Sequence, residues 1–144
     1  MNALSRATRT VLMADDDEDD RMLTKDAFRR GKVREELQFV GDGEALIKAL
    51  RGPGERPTLI LLDLNMPRMN GMEALREIKA DPGLKDIPIV VLTTSTAAGD
   101  ISRSYDLGAN SFITKPHGLD SYQDMVVSLS HYWFDTVALP DERD

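Results

Sequence analysis

Four groups of potentially reactive residues stand directly behind short apolar runs. Asp15, Asp16 and Asp17 follow "VLMA", Asp63 follows "LILL", Thr93 and Thr94 close "IVVL", and Lys115 closes "SFIT". Singly each has a bland explanation, because an Asp after a strand is usually a turn or cap residue and a Lys is usually solvated. If the runs are neighbouring strands, however, their last residues share one rim. Two or three carboxylates, a hydroxyl and an ammonium would then meet in a shallow pocket. Crowded carboxylates raise one another's pKa unless a cation neutralises them. A hard divalent ion with oxygen ligands does so, and magnesium suits one or two carboxylates plus phosphate oxygens. A carboxylate is also a nucleophile toward phosphorus. Magnesium and Lys115 would offset the charge gathering on the phosphoryl oxygens. Asp63 is the best-placed nucleophile, since the strand before it is the most apolar.

The elements that would position these groups can be read from the spacing. The apolar runs Val11–Ala14, Leu37–Val40, Leu59–Leu62, Ile89–Leu92 and Ser111–Thr114 are too short for helices and lack alternation, as expected of buried parallel strands. Helical stripes lie between them: Leu23 with Ala27 and Phe28; Ala45, Leu46, Ala49 and Leu50; Leu75 with Ile78; Ile101 with Tyr105. The breakers "RGPGERP", "DPGLKDIP" and "LGAN" fall before strands three, four and five. Strand and helix alternate, which predicts an α/β fold around a parallel sheet, with function at the carboxyl ends of the strands. The later acids Glu18, Asp19 and Asp20 are expected in the first turn of a helix, where the macrodipole favours negative charge.

The totals set bounds. With 144 residues the chain is sized for one domain, and its net charge of −7 disfavours nucleic acid as a partner. Cysteine is absent, excluding disulfides and thiolate chemistry. No apolar run approaches a membrane span, and "MNALSRATRT" lacks a secretion signal, so a cytoplasmic protein is expected. Residues 1–9 are read as a disordered lead, 10–134 as the domain and 135–144 as a C-terminal extension.

Taken together, "ADDD", "LLDLNMPRMNG", "VVLTTS" and "LGANSFITKP", in this order and spacing, resemble the receiver domain of bacterial two-component response regulators. The resemblance implies a flavodoxin-like (βα)5 fold of five parallel strands in the order 2-1-3-4-5, helices on both faces. It implies Asp63 as phosphoacceptor and a Mg2+ (or Mn2+) ion bound by Asp16, Asp63 and the backbone carbonyl of Asn65, with Asp15 acting through a water. Thr93 would hydrogen-bond one phosphoryl oxygen and Lys115 pair with another. The Lys115–Pro116 bond would be cis, and Phe112 would be the aromatic switch partner of Thr93. Gly71 would permit the tight loop before the third helix. Asp17, Glu18 and Ser95 depart from or tune the usual pattern. The protein would signal without being an enzyme beyond its own phosphorylation and autodephosphorylation.

The last helix shows two apolar faces. Tyr122, Met125, Val126, Leu129, Tyr132 and Trp133 suit the core, leaving Val127, Phe134, Val137 and Ala138 for a second contact. The tail "HYWFDTVALP" is similar to that of stand-alone regulators paired with bacterial and cyanobacterial phytochrome histidine kinases. That likeness implies a phytochrome-type sensor kinase as phosphodonor, a homodimer built on the last helix and extension, and possible transfer onward to a histidine phosphotransfer protein. With the domain filling the chain, output is expected through protein contact. Three rivals are weaker. A haloacid-dehalogenase-type phosphatase needs an Asp where Asn65 stands, and a flavodoxin-like electron carrier needs a phosphate loop that is absent. A phosphate-blind interaction module normally lacks one of the acids, the Thr or the Lys.

Overall fold

In the computed structural model, which describes residues 9–140, five strands and five helices alternate. They are β1 Thr10–Ala14, α1 Glu18–Arg30, β2 Glu36–Val40, α2 Gly43–Arg51, β3 Leu59–Leu62, α3 Gly71–Ala80, β4 Ile89–Thr93, α4 Ala98–Asp106, β5 Ser111–Thr114 and α5 Leu119–Ser130. The strands form one parallel sheet in the order β2-β1-β3-β4-β5, as the family pattern implied. The outer parts of the expected lead and extension, residues 1–8 and 141–144, lie outside the described residues.

β1, β3 and β4 occupy the middle of the sheet. Nearly all of their residues are buried, while edge strands β2 and β5 are only half-buried. Successive side chains point to opposite faces, so the same strands supply two cores. Leu12, Ile60, Leu62, Ile89 and Val91 pack beneath α2 and α3 with Leu46, Leu75 and Ile78. Val11, Met13, Leu59, Leu61, Val90 and Leu92 pack on the other face with Phe28, Tyr122 and Val126. Each fully buried aliphatic side chain stabilises by about 1.5–3 kcal/mol, so the centre of the sheet is a rigid base for whatever its strand ends carry.

Helix starts are fixed by capping. Asp17 accepts from the Asp20 amide, Asp42 from Ala45, and Asn70 with Glu73 completes a reciprocal capping box. Glu18, Asp19 and Asp20 do occupy the first turn of α1. Two expected stripes shift: Ile47 rather than Ala49 faces the core in α2, and Ser104 rather than Tyr105 is buried in α4.

The C-terminal segment corrects the expected two-faced helix. α5 continues as a π-helical turn, His131–Thr136, closed by the Val137 amide on the Tyr132 carbonyl at 3.1 Å. The wider turn advances each residue by less than an α-helix does, which rotates the face presented to the core. Phe134 therefore turns inward and is buried with Leu139, while Tyr132 turns out. Arg9 stacks over the Phe134 ring at 5.7 Å and donates to its carbonyl at 3.2 Å. Of the residues assigned to a second contact, Val127 and Ala138 are exposed, Val137 is half-buried, and Phe134 belongs to the protein's own core. Among the described residues no helix is long and apolar enough to cross a membrane.

Candidate acidic metal centre

Register brings the reactive residues together. Ala14 pairs with Leu62 across β1 and β3, so Asp15 and Asp63 emerge side by side, and the Asp63 amide donates to the Ala14 carbonyl at 3.0 Å. The Asp15 amide is held by the Val40 carbonyl at 3.0 Å on the other side. Thr93 pairs with Thr114 across β4 and β5, and the Lys115 amide donates to the Thr93 carbonyl at 2.7 Å. Asp15, Asp63, Thr93 and Lys115 thus sit on one rim, and all four are buried.

The Lys115 ammonium is the hub. Its Nζ lies 3.1 Å from Asp63 Oδ2, 2.8 Å from Asp15 Oδ2 and 2.5 Å from Asp20 Oδ2. The contacts to Asp20 and Asp63 are aligned hydrogen bonds, whereas that to Asp15 is an ion pair whose angle leaves Asp15 Oδ2 without an aligned donor. Burial pushes the Asp15 carboxyl up to about 6, against the opposing pull of the Lys115 ammonium 2.8 Å away and of the Asp17 amide. Burial works against the Lys115 charge too, but its close contacts with the Asp15 and Asp20 carboxylates outweigh it and hold its pKa above the ordinary lysine value. One ammonium faces three carboxylates, so the pocket keeps a negative excess.

That excess has the geometry of a cation site. One carboxylate oxygen from each of Asp15, Asp16 and Asp63 lies within 4.8 Å of the others. Asp16 is exposed and approachable from solvent, and the buried Asp15 Oδ2 is held by its ion pair to Lys115 with no hydrogen bond aligned on it. Three hard oxygens around one point fit magnesium or manganese. The Thr93 hydroxyl is also buried without a hydrogen-bond partner on the same rim. Buried polar atoms are almost always satisfied, and an orphan hydroxyl at the strand-end rim marks a place where a further polar group belongs.

The remaining predicted residues are distributed as follows. Asn65 lies exposed just past Asp63, its amide donating to Asp63 Oδ1 at 3.3 Å. Phe112 is half-buried against the α2–α3 core, and its amide donates to the Tyr105 hydroxyl at 3.1 Å. Ser95 bonds Asp100 at 2.6 Å and the Ala97 amide, supporting the start of α4, which has no side-chain cap of its own. Asp17 serves as the α1 cap. The Lys115–Pro116 peptide is trans, since no cis bond occurs among the described residues. This corrects the cis expectation: trans is favoured by about 0.5–1 kcal/mol even before proline, and the ion pairs of Lys115 already direct it into the pocket.

Two participants were not recognised from sequence. Asp20 reaches Lys115, and Arg21 Nε clamps the Asp15 carbonyl at 2.6 Å with its guanidinium over the Phe39 ring. The available signal was their place on the first turn of α1, directly above the end of β1. Tyr122 is a third. Its hydroxyl is buried without a partner, and burial, then the charge of Asp20, pushes the phenol up to about 12.

A buried strand-end Asp facing a lysine, an acid pair and an orphan hydroxyl on this five-stranded sheet defines a receiver. The family model of the response regulator receiver domain matches residues 11–127, and the chain belongs to that family. It is similar to the response regulator Rcp1 of Synechocystis sp., with 39% identity over 145 residues that cover 97% of this chain and 99% of Rcp1. Among solved structures, the phosphorylated cyanobacterial phytochrome response regulator RcpA matches with a TM-score of 0.86 and 40% identity, over 92% of this chain and 99% of that one. The Mn2+-bound form of Rcp1 matches with a TM-score of 0.83 and 39% identity over the same shares.

Proposed function

We propose that this chain is a stand-alone phosphoacceptor of phytochrome-type signalling. Asp63 takes a phosphoryl group from a phosphohistidine of a sensor kinase, and the phosphorylated state is read out by protein contact. The observation that carries the reading is the convergence of Asp63 and Lys115 with the Asp15, Asp16 and Asp63 carboxylate cluster and the unpartnered buried hydroxyl of Thr93. The near full-length similarity to Rcp1 and to RcpA, a cyanobacterial phytochrome response regulator solved in its phosphorylated form, supports the choice of donor.

In this mechanism an Asp63 carboxylate oxygen attacks phosphorus, the P–N bond of the phosphohistidine breaks, and the imidazole leaves with the electron pair. Asp15, Asp16, Asp63 and the Asn65 carbonyl would hold Mg2+ or Mn2+, Asp15 through a water. When bound, the ion offsets charge on the phosphoryl oxygens. Lys115 pairs with one of these oxygens, and Thr93 donates its free hydroxyl to another. As the Thr93 hydroxyl moves toward the phosphoryl group Phe112 turns inward, and the bond from the Phe112 amide to the Tyr105 hydroxyl links that movement to α4. Turnover is limited to loss of the protein's own phosphate, and the phosphate can pass onward to a histidine phosphotransfer protein. A homodimer would use the exposed side of α5 and the tail, where Val127, Tyr132 and Ala138 face outward.

The test is phosphotransfer from an autophosphorylated phytochrome-type histidine kinase carrying labelled phosphate. Transfer to wild type and not to Asp63→Asn supports the reading. A folded wild type that takes no label from the kinase and binds it regardless of phosphate supports the interaction-module alternative.

A further inference from the structure

A lysine ammonium has three N–H donors on a flexible four-carbon stem. In this protein three carboxylates face it: Asp15, Asp63 and Asp20. The first two belong to the candidate metal cluster and Asp20 does not. A bound cation and a phosphorylated Asp63 would draw both cluster carboxylates away from Lys115 at the moment it must face the phosphoryl group. Asp20 would then be its only remaining carboxylate partner among the three, and it is also the one lying nearest in the structure, at 2.5 Å against 2.8 and 3.1 Å.

Asp20 is itself held in place. Its amide bonds the Asp17 cap at 3.1 Å, and its carbonyl receives the hydroxyl of buried Thr24 at 2.8 Å. It stands in the first turn of α1, where its charge is favoured by the helix dipole. Its side chain is 21% exposed, so solvent screens this pair only in part.

We propose that Asp20 is a positioning residue of the phosphoacceptor site: it anchors Lys115 from outside the metal cluster, so that the ammonium stays aimed at the Asp63 side of the pocket when the cluster acids are engaged. This rests on the phosphoacceptor reading of Asp63. Asp20 touches neither the ion nor the reacting atoms; it freezes the lysine stem and leaves donors free for a phosphoryl oxygen.

The experiment uses the full chain with acetyl phosphate as donor at saturating Mg2+, following the Asp63 adduct by intact mass over time. Asp20→Asn is expected to slow adduct formation about tenfold, the usual scale for one charge-assisted hydrogen bond, and Asp20→Glu to recover part of the loss. In a Lys115→Ala background, Asp20→Asn should change the rate by less than about twofold, because coupled residues do not add. A second readout needs no phosphate: the 15N-ammonium resonance of Lys115, assigned by its loss in Lys115→Ala, should persist with Mg2+ in wild type and broaden away in Asp20→Asn. An unchanged or faster rate in Asp20→Asn, the same slowing without Lys115, or an unaltered ammonium resonance overturns the proposal. Wild type that forms no adduct instead overturns the phosphoacceptor reading, and the ammonium spectrum then still decides whether Asp20 anchors the lysine.

Discussion

Gly71 lies pressed against the backbone of Asp63. A methyl group at Gly71 would overlap the Asp63 carbonyl and come within 2.6 Å of the Leu64 α-carbon, and the Gly71 amide donates to the Leu64 carbonyl at 3.0 Å. The loop leaving β3 therefore returns onto its own start, and the first turn of α3 buttresses the candidate nucleophile from below. Gly71→Ala is expected to cost about 1–3 kcal/mol of stability by overpacking, read from urea unfolding. The same change should weaken Mg2+ binding measured by calorimetry, because the backbone that must give way carries Asp63.

Thr93 is buried and its hydroxyl has no hydrogen-bond partner, so removing it strands nothing. Thr93→Ala should stay within about 1 kcal/mol of wild-type stability. Adduct formation with acetyl phosphate should nevertheless fall about tenfold or more if one charge-assisted bond to the phosphoryl group is lost. Equal rates in the two proteins would remove Thr93 from the site.

Tyr122 gives a pH dependence of definite sign. An unfolded phenol titrates near 10, and burial pushes that of Tyr122 up to about 12. Its folded-state pKa is raised, so its contribution is fully present below pH 10 and is lost as the pH rises through 12. Tyr122→Phe also deletes an unpartnered hydroxyl and should be as stable as wild type or more so at neutral pH. Between pH 10 and 12 the stability gap should widen in favour of the variant, by up to about 2 kcal/mol, in chemical denaturation run at each pH.

The tail separates folding from association. Phe134→Ala should lose about 3–5 kcal/mol, as buried aromatic truncations do, since Phe134 packs with Val11, Phe28 and Val126. Val127→Asp and Ala138→Asp change exposed positions and should leave the thermal midpoint nearly unaltered. If the homodimer forms through this face, light scattering should show those two variants as monomers at concentrations where wild type is dimeric.

Most of the sheet was legible from sequence because strands buried on both faces announce themselves as unbroken apolar runs, and "LILL" and "IVVL" lie at its centre. Asp15, Asp63, Thr93 and Lys115 were legible for the same reason: each ends or directly follows a strand, and parallel register brings strand ends together. Asp20 was placed on the correct helical turn but read only for the dipole, since its reach to Lys115 is a contact 95 residues apart in sequence. Periodicity failed at the tail because it assumes 3.6 residues per turn, and the π-helical turn at His131–Thr136 exchanges the faces of Tyr132 and Phe134. In α4, Ser104 took a buried place that its polarity hid, its hydroxyl being satisfied by the Asp100 carbonyl at 2.7 Å.

The central claim is that Asp63 is a metal-dependent phosphoacceptor. Its most direct test is intact mass after incubation with acetyl phosphate, with and without Mg2+, on wild type and Asp63→Ala. The expected result is one phosphoryl adduct that needs Mg2+ and disappears in the variant. A well-folded wild type that stays unmodified with Mg2+ present, or an adduct that survives in Asp63→Ala, would contradict it.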